Sequence, residues 1–250
     1  MSGVLYLIPA PLADTAVNSI LPEAVQTQAN RLNHWVVESA KTARRWLKLY
    51  APQRPMQQLC FYEMGQAKLP QQWQTLLAPL RAGHDVGLMS DAGCPGIADP
   101  GAILVRLAHQ EGIRVVPLVG PCSILLGLMA SGTCGQRFRF HGYLAIKPQA
   151  RIQQLRQIEY AAKRYDEAQL FIETPYRNKA LLATIIEVCA DNSLLSIACD
   201  ITGAHEFIAT HSISQWRYLP TPSLHQQPTL FTLYHAADPM QPRRGVKAKR

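Results

Sequence analysis

Two carboxylates and three glycines lie within residues 90–101, which read Ser-Asp-Ala-Gly-Cys-Pro-Gly-Ile-Ala-Asp-Pro-Gly. An apolar run ends just before this segment. Ligands of open α/β sheets bind where strands end, and small residues there let the backbone approach a ligand closely. The segment therefore suits an adenosyl ligand held largely by main-chain groups, with the contacts at Asp91 to Cys94. The alternative is a turn whose aspartates cap the next helix, and Asp99, just ahead of Pro100, fits that role better.

Two later segments have the same form, a strand that ends in polar residues before a helix. Residues 116–123 read Val-Pro-Leu-Val-Gly-Pro-Cys-Ser. Free backbone N–H groups at this helix start can hold a carboxylate or a ribose oxygen, unless Ser123 serves only its own helix. Residues 170–177 read Leu-Phe-Ile-Glu-Thr-Pro-Tyr-Arg. Their Glu173 is either a helix-start residue favoured by the helix dipole or a ligand contact.

Short apolar runs that alternate with helical patterns predict the elements that would position these residues. They indicate two α/β domains in tandem, the first with a mostly parallel sheet and the second with a mixed sheet. In the first domain we predict strands at 4–8, 85–90 and 114–119, and helices at 102–111 and 121–129. In the second we predict strands at 138–144, 170–173, 194–199, 207–213 and 230–234, and helices at 150–163 and 178–189.

The turn at residues 131–133 separates the two predicted domains, which span residues 1–132 and 133–237. The strands after residue 194 follow one another closely, as in an antiparallel meander. A basic tail at 238–250 contains proline and glycine and is expected to be disordered.

Composition and absent motifs exclude several classes of protein. No apolar run approaches the roughly 20 residues that span a bilayer, so no membrane association is expected. The six cysteines form no C-x-x-C pair, which argues against a metal site and indicates free thiols in a reducing, cytoplasmic compartment. The sequence contains no G-x-G-x-x-G, P-loop, G-x-S-x-G or H-E-x-x-H motif.

The chain has a net charge of +8, and its basic residues are concentrated in three clusters, at residues 31–54, 137–164 and 238–250. Such clusters attract a polyanion such as RNA. The alternative, a solvated surface with a solubilising tail, is equally compatible with the charge pattern alone.

Four stretches together carry a family resemblance. Residues 90–101 are similar to the pattern S-D-A-G-T-P-x-I-x-D-P-G, and residues 112–122 to G-I-R-V-V-P-L-P-G-P-C. Residues 5–12 are similar to L-Y-x-V-P-T-P-I-G, and residues 171–177 to F-Y-E-S-P-H-R. These patterns are those of the 16S rRNA 2′-O-ribose methyltransferase family, within the tetrapyrrole-methylase superfamily, which the chain resembles from about residue 3 to 235.

This resemblance implies a homodimer of two-domain chains that bind the methyl donor S-adenosylmethionine in the cleft between the domains. The implied acceptor is ribosomal RNA, free or in the small ribosomal subunit. Carried over position by position, the implied donor contacts are Ile8, Pro9, Ala92, Gly93, Cys94, Ile97, Cys122, Ser123, Glu173, Pro228 and Thr229.

The chain departs from the family mainly on the acceptor side. Residues 37–43 read Val-Glu-Ser-Ala-Lys-Thr-Ala where the family has A-E-D-T-R-H-T, so the glutamate remains but the aspartate and arginine are lost. A ribose hydroxyl needs a general base, and the sequence leaves three carboxylates unseparated: Glu38, Asp91 and Asp99. The candidates for RNA phosphate contacts are Lys41, Arg44 and Arg45, which could equally form a plain solvated face.

Two rival functions remain open at this stage. One is methylation of a tetrapyrrole or another small molecule on the same scaffold. The other is a protein that binds the donor or RNA without catalysis. The basic clusters favour RNA, and the altered acceptor-side residues favour the rivals.

Overall fold

The computed structural model describes residues 2–14, 17–50, 55–67 and 69–235, so the predicted tail at 238–250 lies outside the described residues. The chain divides into two compact units, Met1–Cys122 and Ser123–Arg250. The division lies ten residues before the boundary that the sequence indicates. The reason is a helix, Ser123–Ser131, which packs on the strands of the second unit and therefore belongs to it.

The first unit is built on a five-stranded parallel sheet. Its strands are β1 (Leu5–Leu7), β2 (His34–Val37), β3 (Cys60–Glu63), β4 (Val86–Met89) and β5 (Val115–Pro117), in the spatial order β3-β2-β4-β1-β5. Its helices are α1 (Val17–Ile20), α2 (Glu23–Arg31), α3 (Ala40–Tyr50), α4 (Pro70–Thr75), α5 (Ala78–Arg81) and α6 (Gly101–Gln110), with short 3-10 turns at Met56–Gln58 and Met64–Gln66.

Both faces of this sheet are buried, as is usual for parallel sheets. Along β2, Trp35 and Val37 belong to one apolar cluster and Val36 to the cluster on the opposite face. In the sheet order, the connection from β1 leads to β2 on one side, and the connection from β4 leads to β5 on the other side. The two connections therefore run in opposite directions across the sheet. The carboxyl ends of β1 and β4 therefore form the switch point at which open α/β sheets bind their ligands.

The second unit contains a mixed five-stranded sheet. Its strands are β6 (Phe138–Tyr143), β7 (Ala168–Ile172), β8 (Leu194–Cys199), β9 (Phe207–Ser212) and β10 (Thr229–Tyr234), in the order β6-β7-β10-β8-β9. β6 and β7 are parallel, and the other pairs are antiparallel. The helices are α7 (Ser123–Ser131), α8 (Pro148–Tyr165), α9 (Asn178–Val188) and α10 (Ile213–Trp216), with a 3-10 turn at Pro175–Arg177.

The fold class is confirmed, and every element predicted from the sequence is present, with ends that differ by at most two residues. Gly112 follows α6 with a φ of +66°, the left-handed stop that a glycine there favours. Two predictions need correction. The sequence reading places no strand between residues 9 and 85, where β2 and β3 lie. The last three strands are not a meander, because β10 pairs with β8 on the side away from β9 and so reaches β7.

Within the described residues, no helix is both long enough and apolar enough to cross a membrane.

Candidate functional site

The loop between β4 and α6 is fastened to the end of β1. The backbones of Ala10 and Gly93 exchange two hydrogen bonds, of 2.9 and 3.0 Å, and the Ile8 amide donates to the Leu88 carbonyl at 2.9 Å. Gly93 has a φ of +72°, which glycine adopts without the steric cost of a Cβ. The donor-binding candidates Ile8, Ala92, Gly93 and Cys94 therefore lie together at the switch point.

Asp99 closes this loop on itself. Its Oδ2 accepts a hydrogen bond from the Gly96 amide at 2.8 Å, and its Oδ1 accepts one from the Gly101 amide at 2.6 Å. Burial raises the pKa of Asp99, and these backbone hydrogen bonds oppose the rise because they favour the charged form. Both oxygens thus hold the loop against the first turn of α6, as the capping alternative predicts.

Glu38 and Trp46 hold the opposite side of the loop at Asp91. Glu38 Oε2 accepts a hydrogen bond from the Asp91 amide at 3.1 Å, and Trp46 Nε1 donates to the Asp91 carbonyl at 2.9 Å. Burial is the largest cause of a raised pKa at Glu38, and the charges of Asp91 and Asp99 raise it further, against the Asp91 hydrogen bond. The structure therefore brings the three candidate carboxylates together, and it adds Trp46, which sequence reasoning missed.

The loop after β5 packs directly against the end of β1. A Cβ placed on Gly120 would lie 2.2 Å from Pro9 Cβ and 2.3 Å from Pro9 Cγ, so only glycine fits. Cys94 Sγ donates to the Pro121 carbonyl at 3.3 Å, and burial followed by the neighbouring Cys122 raises the pKa of the Cys94 thiol. Pro9 and Cys122 thereby join the candidates at the switch point. Ile97 lies in the same loop as Cys94, with 46% of its surface exposed.

The candidates in the second unit include Glu173 and Thr229. Glu173 follows β7 with its side chain fully buried, and its Oε1 accepts from the Arg177 guanidinium at 2.6 Å and from the Thr174 amide at 2.7 Å. Its Oε2 is buried and has no hydrogen-bond partner among the described residues. The register that pairs Ile172 with Leu230 places Thr229 beside Glu173.

Besides Glu173, the candidates of this unit are Pro228, Thr229 and Ser123. The Pro228 carbonyl accepts from the Asp200 amide at 2.9 Å. Thr229 Oγ1 accepts from the Asn178 amide group at 3.1 Å. Ser123 is the first residue of α7 and is half-buried.

The basic candidates on α3 do not form a single stripe. The Arg45 guanidinium lies 4.1 Å from the centroid of the Trp46 ring and 3.4 Å from the Asp14 carboxylate. The Arg44 guanidinium lies 4.6 Å from the centroid of the Phe61 ring instead. Lys41 is exposed. Phe61 is a second residue that sequence reasoning missed, because the strand that carries it was not predicted.

No group of three histidine, cysteine or acidic side chains suited to a metal ion occurs in the part of the chain that the structure describes.

The chain is similar to known methyltransferases. No protein-family profile matches it. It is 30% identical over 217 residues to the ribosomal RNA small subunit methyltransferase I of Haemophilus influenzae, covering 87% of this chain and 72% of that one. It is 38% identical over 138 residues to the Escherichia coli O157:H7 protein of the same name, covering 55% and 47% of the two chains.

Among solved structures, the methyltransferase CobJ matches 94% of this chain and 95% of its own, with a TM-score of 0.62 and 20% identity. That likeness confirms the fold of two α/β units. The sequence relatives, which align over most of the chain, confirm the family. The chain therefore belongs to the ribosomal RNA small subunit methyltransferase I family and is a methyltransferase.

Proposed function

We propose that the protein transfers a methyl group from S-adenosylmethionine to a ribose 2′-hydroxyl of ribosomal RNA, free or within the small ribosomal subunit. The observation that carries this proposal is the loop at residues 90–101. In a chain of this family, it is fastened at Ala10, Asp91 and Asp99 at the switch point of a parallel sheet.

The described residues fit the proposed donor. In the first unit we assign Ile8, Pro9, Ala92 to Cys94, Ile97 and Cys122 to donor contacts. Gly93 and Gly120 carry no side chain that could exclude a ligand, and Gly120 packs so closely on Pro9 that no larger residue fits there. In the second unit we assign Ser123, Glu173, Pro228 and Thr229. There the unpartnered, buried Oε2 of Glu173 offers an acceptor to an ammonium or hydroxyl donor.

When bound, S-adenosylmethionine supplies an electrophilic methyl group on a sulfonium. The protein has to align the acceptor oxygen with that methyl group, and such positioning is worth up to roughly 7–11 kcal/mol. We assign proton removal from the ribose hydroxyl to Glu38, because a raised pKa brings its carboxylate closer to the working pH. Asp91 is the alternative, since none of the hydrogen bonds described around it uses its carboxylate. Asp99 keeps the loop closed.

Methyl transfer from radiolabelled S-adenosylmethionine to small ribosomal subunits that lack their ribose methylation tests the proposal. We expect label at one nucleotide, where the 2′-O-methyl group blocks alkaline cleavage. Label in a base, or no label despite measured donor binding, would refute the ribosomal ribose as acceptor. Loss of affinity for RNA as salt rises would separate an RNA acceptor from a small molecule.

Three variants separate the roles of the carboxylates. Glu38→Gln is expected to lower kcat at saturating donor by about 10²- to 10⁴-fold and to leave donor affinity unchanged. Asp99→Asn is expected to weaken donor binding, because an amide cannot accept from two backbone N–H groups with both of its atoms. Glu23→Gln, an exposed change at the start of α2, is the matched control. Unchanged kcat in Glu38→Gln would transfer the role of base to Asp91.

We also propose that the protein acts in the cytoplasm as a homodimer. Leu125 and Met129 lie four residues apart on α7 and expose 47% and 77% of their surfaces, so one face of this apolar helix is open to a partner. Light scattering should give a mass near twice the 27.8 kDa of one chain. A monomer at micromolar concentration would contradict the dimer.

A further inference from the structure

A groove runs along the open edge of β3 in the first unit. Its volume is about 580 Å³, within the range of pockets that hold small ligands. One wall is Arg44 of α3, the floor is Phe61 to Glu63 of β3, and the other wall is Gln72 and Thr75 of α4. In the part of the chain that the structure describes, β3 is the outermost strand of its sheet, next to β2. We name this feature the Arg44 groove.

Arg44 forms a flat surface in this groove. Its guanidinium lies 4.6 Å from the centroid of the Phe61 ring, and no described carboxylate lies within 4.0 Å of it. Arg45, the next residue, is instead paired with Asp14. A guanidinium held against an aromatic ring keeps its second face for another planar group, and nucleobases stack on arginine planes in this way.

The walls add polar groups that suit the edge of a base. The Thr75 hydroxyl donates to the Gln72 carbonyl at 2.7 Å and keeps acceptor capacity towards the groove. Glu63 Oε1 accepts from the Ala40 amide at 2.7 Å, which holds the start of α3 against β3 and so fixes the width of the groove. The groove therefore combines a stacking plane, a positive charge and hydrogen-bonding groups.

The position of the groove relates it to the loop at residues 90–101. Trp46 holds that loop through Asp91, and Arg44 precedes Trp46 by two residues, about 200° around the helix. Ala40 lines the groove, and Glu38, two residues before it, accepts a hydrogen bond from the Asp91 amide. The segment from Glu38 to Trp46 therefore connects the groove to the loop.

We propose that the Arg44 groove is a subsite for the RNA acceptor that takes one unstacked base near the methylated ribose. This inference rests on the proposed function. It gives Arg44 a role different from that of a phosphate contact, because a stacked base is recognised by its plane as well as by charge.

Arg44→Lys tests the stacking, because lysine keeps the charge and loses the plane. We expect this variant, and Phe61→Leu, to raise the KM for small ribosomal subunits by roughly 5- to 150-fold, the usual loss for one stacked base. The matched control is Arg106→Lys, the same change at an exposed position of α6. Donor affinity, measured by calorimetry, reports whether each variant remains folded. A KM for Arg44→Lys equal to that of the wild type, with a raised KM for Arg44→Ala, would make Arg44 a plain phosphate contact and overturn the proposal.

A binding experiment separates failure of the inference from failure of the proposed function. A ten-nucleotide RNA of uridine and a fully abasic chain of the same length carry equal charge. If the wild type binds the intact RNA more tightly and Arg44→Lys removes the difference, the groove takes a base even if no methyl transfer to ribosomal RNA is found. If the wild type methylates small subunits but does not distinguish abasic from intact RNA, the subsite is wrong and the proposed function stands.

Discussion

The contact between Gly120 and Pro9 allows a sharp prediction about the donor site. In Gly120→Ala the new methyl group would lie 2.2 Å from Pro9 Cβ, and a proline ring cannot rotate away. Carbon atoms pack at about 3.5–4.0 Å, so the ends of β1 and β5 must move apart by more than about 1 Å. Overpacking of this kind costs about 1–3 kcal/mol of unfolding free energy. The melting temperature should fall by about 2–12 °C in a chain of this size.

The effect on methyl transfer should exceed the effect on stability. Displacement of a reacting group by about 1 Å can cost on the order of 100-fold in rate. We therefore expect Gly120→Ala to lower kcat/KM for the donor by about 100-fold at a temperature where the variant remains folded. Donor affinity by calorimetry and methyl transfer to small ribosomal subunits are the two assays.

Gly65→Ala is the matched control for this prediction. No atom lies within 4 Å of a Cβ placed on Gly65, so the added methyl group meets open space. This control should be neutral, or more stable by up to about 1 kcal/mol because the unfolded chain loses freedom. If Gly120→Ala melts early but binds and uses the donor as the control does, then the Pro9–Gly120 contact supports only the fold, and the assignment of Pro9 to the donor site is refuted.

Three further predictions concern titrating and paired groups. Since the pKa of Glu38 is raised in the folded chain, its ionisation opposes folding, so Glu38→Gln should melt above the wild type at pH 7.5 and lose that advantage towards pH 4.5. Arg177→Ala should lower the unfolding free energy by about 2–4 kcal/mol in urea titrations, because the change leaves the buried Glu173 carboxylate without its ion-pair partner. Glu173→Gln in the Arg177→Ala background should restore most of that free energy, and simple additivity of the two changes would contradict the prediction. Burial, and then the neighbouring His84, lower the pKa of His34, so the unfolding free energy should fall as the pH drops below about 6.5. The fall with pH should be less steep in His34→Gln, and equal slopes in the variant and the wild type would exclude His34 as a cause.

Local signals made most elements predictable from sequence. Gly112 marks a helix end by its own backbone preference, and the apolar run before Ser90 ends where the glycine-rich loop begins. These features depend on neighbours in sequence. The loop at residues 90–101 could be identified as a candidate site for the same reason.

β2 and β3, each four residues long, were missed. The position of β2 inside the sheet comes from its pairing with β4, more than forty residues away, and no local pattern encodes that pairing. The contact of Trp46 with Asp91 is likewise a tertiary contact. The roles of the three carboxylates could not be separated from sequence, because they differ only in which backbone amides each one meets.

The position of β10 has a consequence for the synthesis of the protein. Its six residues, Thr229–Tyr234, are buried; all six pair with β8 on one side, and Leu230–Leu233 pair with β7 on the other. The sheet of the second unit therefore stays split into two halves until residue 234 has left the ribosome. The sheet of the first unit is complete once residue 117 has emerged, about 6–24 s earlier at 5–20 residues per second. During this interval β7 and β8 present unpaired edges beside apolar surface, so we expect a nascent chain stalled before Thr229 to depend on chaperones far more than one stalled after Tyr234.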